Sequence, residues 1–181
     1  MLWLAPVAGH AAASKSAPKK DAAAAEEPEK KLPPILQKAL EEKEAQVTDA
    51  RREAIKLLEA YLKENPRGSA GFRAKEQAEA LYKLAELYWE ESKAVYLEKM
   101  GVYQAAVTAC HTDRSTCPRV PHRPPTIDLT QAQATYRQLI NDYPKFRKID
   151  TVTYLYAFSL RDQGKLGESI KYFQIILDRF P

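Results

Sequence analysis

Four side chains able to bind metal or change redox state stand within 13 residues: Cys110, His111, Cys117 and His122, in CHTDRSTCPRVPH. Two thiols and two imidazoles make up the donor count of a zinc site. The spacing is not that of a familiar finger, since six residues separate the cysteines and His111 directly follows Cys110. The same cysteines could close a small disulfide loop, worth ~2–3 kcal/mol through chain entropy in an oxidising compartment, or stay free thiols. All three states fit the sequence; the Cys110–Cys117 disulfide is carried forward, with the Cys110, His111, Cys117, His122 metal set as its alternative. A haem attachment is excluded, because Cys110-His111 lacks the upstream cysteine that CxxCH requires.

Other chemistry is sparse. Neither GxxxxGK nor GxGxxG occurs among the six glycines, and HExxH is absent, so nothing here cradles phosphates or builds a zinc hydrolase. The carboxylates recur beside lysines at helical spacing, as in Glu79 and Lys83, which is the pattern of a solvated helix face. With 28 basic against 24 acidic residues, the net charge of +4 is too near balance to make nucleic acid or an anionic membrane the default partner. The expectation is a protein with no enzymatic activity and no cofactor.

Prolines outline the elements that must position these residues. None falls between Pro34 and Pro66 or between Pro66 and Pro118, whereas Pro118, Pro121, Pro124 and Pro125 crowd one stretch, followed by Pro144 and Pro181. Each proline removes a backbone donor and clashes with the preceding helical turn, so the long gaps predict helices and the cluster predicts an irregular insertion. No segment shows sustained alternation of period two. The start, MLWLAPVAGHAAA, is apolar and ends in small residues suited to signal-peptidase cleavage, although it lacks a basic leading region. Residues 1–13 are thus expected to be an export signal, and residues 14–34, rich in alanine, proline and both charges, a disordered linker.

Three segments end alike, at Pro66, Pro144 and Pro181. Counting back from the proline, a small residue stands twelve positions earlier (Ala54, Ala132, Ser169) and a large one eight earlier (Leu58, Tyr136, Phe173). A second large residue stands five earlier (Tyr61, Leu139, Ile176). These offsets share one helix face, and the small residue lets a neighbouring helix approach. A second helix type has large, large, small and large residues at i, i+3, i+4 and i+7: Leu81, Leu84, Ala85 and Tyr88, then Thr153, Tyr156, Ala157 and Leu160.

These two signatures together resemble the tetratricopeptide repeat, with Thr153 small for its place and Ile176 standing where alanine is usual. The resemblance implies an all-α solenoid of antiparallel helix pairs over residues 35–181. Its parts would be a helix over 35–65, a split repeat over 78–144 with an insertion at about 97–131, and a repeat over 150–181. Short helices ending in YP or FP are similar to those of envelope members of the family in Gram-negative bacteria, of the barrel-assembly, Tol-Pal-associated and gliding-motility types. The resemblance implies a scaffold or assembly adaptor, periplasmic or envelope-associated, that binds other proteins. A cytosolic scaffold or co-chaperone, or a zinc-dependent protein using the insertion, is the alternative. The family's groove positions carry over to Tyr82, Glu86, Trp89, Tyr154, Phe158 and Arg161, an aromatic surface suited to partner segments. Because FQIILDRFP is not a polar cap, further repeats or another chain are expected to cover that end.

Overall fold

The computed structural model describes residues 33–180, so the expected export signal and nearly all of the expected linker lie outside the described residues. Five α-helices follow in order: α1 (Pro34–Glu64), α2 (Ala74–Thr112), α3 (Thr130–Asp142), α4 (Ile149–Asp162) and α5 (Leu166–Arg179). A 3₁₀ segment, Arg114–Arg119, stands between α2 and α3, and there is no strand among the described residues. Each helix packs on the next in chain order, which gives an all-α repeat fold of antiparallel helix pairs.

The small residues sit where helices meet. Ala85, Ala132, Ala157 and Ser169 are all buried, and the large residues at matching offsets, Leu81, Tyr136, Leu139, Tyr156 and Leu160, surround them. Small side chains at these positions let neighbouring helices approach closely. Ser169 Oγ donates to the Ala157 carbonyl at 2.8 Å, joining α5 to α4. The α4–α5 turn closes because Gly164 takes φ of +74°, a left-handed conformation that costs other residues a Cβ clash. Gly164 N–H then donates to the Arg161 carbonyl and Lys165 N–H to the Leu160 carbonyl, which satisfies two orphan acceptors of α4.

Polar bonds fix the other turns. Gln77 Nε2 donates to the Asn65 carbonyl at 2.7 Å across the α1–α2 turn. Arg147 donates to Glu79 at 2.7 Å, tying the start of α4 to α2. α1 itself has no buried residue. It lies antiparallel on α2 through Arg51 and Arg52, which both donate to Glu91, and through Glu59, which accepts from the Tyr88 hydroxyl.

Of the insertion at about 97–131, only the proline-rich second part departs from α-helix. α2 continues unbroken for 39 residues to Thr112, so its first part is helix. No proline lies between Pro66 and Pro118, and the only mid-helix glycine there, Gly101, costs about 1 kcal/mol, too little to end so long a helix. Only after the 3₁₀ segment does the chain become irregular, running back along α2 to reach α3 at Thr130.

Candidate partner-binding site

Five rings from four helices form a continuous ladder. Tyr136 of α3 meets Trp89 of α2 with centroids 6.3 Å apart, and Trp89 meets Phe158 of α4 at 6.1 Å. Phe158 is followed one turn earlier in the same helix by Tyr154 at 6.1 Å, which in turn meets Phe173 of α5 at 5.8 Å. The Arg161 guanidinium lies over the Phe158 ring, 3.8 Å from its centroid. Tilted and edge-on rings at these separations attract through their quadrupoles as well as their area.

The ladder runs from core to surface. Tyr136 is 1% exposed, Trp89, Phe158 and Phe173 are half-buried, and Tyr154 is 48% exposed. Burial raises the Tyr136 phenol well above its ordinary value, and the Glu86 charge adds to the shift, so this rung stays neutral. The outer rungs offer apolar area able to take up an apolar side chain, and the cation beside it, Arg161, is paired with Asp162 at 3.0 Å.

Of the six residues expected to face a partner, the structure joins Trp89, Tyr154, Phe158 and Arg161 in this ladder. Tyr82 is placed differently. Its ring is 5% exposed, packed on Phe146 at 5.9 Å and covered by the Lys148 ammonium 4.4 Å from its centroid. Burial first, then a hydrogen bond to Glu86 and that residue's charge, push its phenol up to about 12. Tyr82 is thus core rather than open surface, because Phe146 and Lys148 of the α3–α4 turn close over it. Glu86 is half-buried and pairs with Lys83 at 2.9 Å, beside the ladder rather than in it.

Tyr136 and Phe173 were missing from the expected set. Their signal was present, since both occupy the large position eight residues before a proline, but one-dimensional spacing assigned them only to helix–helix contact. They do make that contact and in addition extend the ladder at both ends.

At the far end of α2, Cys110 and Cys117 are joined in a disulfide, with Cα atoms 4.5 Å apart. The four-ligand metal alternative thereby loses its two thiolates. Asp113 initiates the 3₁₀ segment by accepting from Ser115 N–H at 2.9 Å and Ser115 Oγ at 2.8 Å. These bonds hold its carboxyl below the usual range. No helix among the described residues is long and apolar enough to cross a membrane.

The sequence model of the tetratricopeptide repeat family matches residues 127–145, the stretch that contains α3 with Ala132, Tyr136, Leu139 and the closing Pro144. No curated protein and no solved structure matches the chain.

Proposed function

We propose that this chain is a non-enzymatic protein–protein interaction scaffold, an assembly adaptor of the bacterial cell envelope, whose aromatic ladder binds a segment of its partner. The observation that carries the reading is the open end of the ladder: Tyr154, Phe158 and Phe173, with Arg161 over the Phe158 ring, continuous with the half-buried Trp89. Repeats of this family generally mediate protein binding, and aromatic residues with arginine are the commonest energetic anchors of interfaces. The apolar start ending in Ala11-Ala12-Ala13 and the disulfide both favour export to an oxidising compartment. On α5, Leu166, Ile170 and Leu177 follow helical spacing and are all exposed, which adds apolar area for a partner protein.

A photo-crosslinking residue placed at Tyr154 in the full chain, expressed in a Gram-negative host, tests the binding surface. One discrete adduct from position 154, lost when Phe158 becomes alanine and absent from a crosslinker at exposed Lys56, is expected. Adducts from Lys56 alone would overturn the reading. The location is tested by intact mass of the envelope fraction, where a chain beginning near Ser14 without free thiols is expected. An unprocessed cytosolic chain would refute export while leaving the ladder untouched.

A further inference from the structure

The distal half of α2 and the segment that returns along it form an arm with a groove of its own. The last buried residue of α2 is Ala85, and 27 more residues follow to Thr112, about 40 Å of helix at 1.5 Å per residue. Along its outer part, Val102, Tyr103 and Ala106 face Pro121 and Pro125 across a cleft of about 380 Å³. Val102 is 69% exposed, an aliphatic floor with nothing over it. The opposite wall is preorganised: the disulfide pins Cys117 to the helix, and Cys117 Sγ lies 3.5 Å from the Cys110 carbonyl. Pro121, Pro124 and Pro125 then hold the returning chain extended.

Charge around this cleft is one-sided. Lys99, Arg119 and Arg123 line it against a single carboxylate, Glu98. Among the described residues, none of the three cations has a carboxylate within ion-pair distance. Two other acids are engaged elsewhere: Asp113 caps the 3₁₀ segment, and Asp128, whose charge reaches Lys99, accepts from the N–H and hydroxyl of Thr130. A rim of unpaired cations around an exposed apolar floor is complementary to an apolar residue flanked by carboxylates.

We propose that this arm is a second docking surface, separate from the ring ladder, and that its occupant is an acidic segment of a partner protein with an aliphatic or aromatic residue set among carboxylates. The apolar residue seats on Val102 and Ala106 between the prolines. Its flanking carboxylates pair with Arg119 and Arg123, whose planar guanidinium groups can take two oxygens each.

The test is fluorescence anisotropy with the full, disulfide-intact chain and a labelled octapeptide of alternating glutamate and leucine. Binding should weaken as salt rises from 50 to 300 mM. It should fall at least tenfold in the Arg119→Glu, Arg123→Glu double variant and at least fivefold in Val102→Asp. Arg179→Glu, the same charge change on exposed α5, should leave it unchanged. All four residues are exposed, and circular dichroism confirms folding. Equal affinity for an octapeptide of alternating lysine and leucine would overturn the proposal. So would no loss in Val102→Asp, which would leave charge without a groove. Displacement of the probe by phosphatidylglycerol vesicles or a single-stranded oligonucleotide at lower concentration than by the unlabelled peptide would assign the arm to another class of partner. A tenfold gain in affinity on replacing Glu26, Glu27 and Glu29 by lysine would make the chain's own acidic run the occupant and likewise refute a partner protein.

Discussion

Replacing Phe158 by alanine removes the rung that links the buried and exposed halves of the ladder. Two ring pairs disappear, with Trp89 and Tyr154, each worth about 0.5–1.5 kcal/mol, together with the contact to Arg161, about 0.5–1 kcal/mol at an exposed site. A fully buried phenylalanine costs about 3–5 kcal/mol on truncation, and Phe158 is only half-buried, which brings the same figure from the other side. Both routes give a loss of about 2 kcal/mol in folding free energy. Urea unfolding, followed by far-ultraviolet circular dichroism and by Trp89 fluorescence in a Trp3→Phe background, measures it. A double-mutant cycle with Trp89→Leu should return a coupling of about 1 kcal/mol, because the two rings touch. A coupling indistinguishable from zero, or a single-variant loss below about 0.5 kcal/mol, would refute a packed ladder. Loss of all helical signal would show that Phe158 is core and not a surface rung.

Ser169→Ala should cost about 1 kcal/mol, the net worth of the buried hydrogen bond to the Ala157 carbonyl, by chemical denaturation; no change would mean that the α4–α5 contact rests on shape alone. Gly164→Ala should cost about 1 kcal/mol, because its φ of +74° is strained for a residue with Cβ although nothing lies within 4 Å of the added carbon; a stabilised variant would refute the left-handed turn. Acid should destabilise the fold. Glu79 is lowered chiefly by the Arg147 hydrogen bond, and Asp128 by the Thr130 hydroxyl and N–H. In Glu91 burial pushes upward, but hydrogen bonds from Arg52 and Arg51 outweigh it. Groups with depressed folded values contribute stability above the unfolded carboxylate range and lose it as pH falls through that range, so Tm should be level near neutrality and drop below about pH 4.5. At the alkaline end the buried Tyr82 phenol, raised to about 12, must stay protonated in the fold, so stability should fall as pH rises past the ordinary tyrosine value; a Tm that climbs in either direction would contradict these signs.

Local chemistry in the chain was sufficient for the repeat itself. Ala85, Ala132, Ala157 and Ser169 are recognisable because a small side chain set among large ones at helical spacing is encoded within a few turns of one helix, and close helix approach requires nothing else. The Gly164 turn is legible for the same reason, a single residue free to take a left-handed conformation. α2 runs on through the insertion, past the point near residue 97 where repeat spacing would place the second helix, because helix propagation obeys only the local absence of a breaker. Which aromatic residues form a surface was decided by tertiary structure alone. Tyr82 and Tyr154 hold equivalent positions in two repeats, yet one is closed by Phe146 and Lys148 and the other left open, because only the first has a neighbouring turn packed over it. The same holds for the ladder and for the arm's cleft: their members come from several helices and from a returning segment, and the distances among them depend on how those elements pack, a quantity that no spacing along the chain contains.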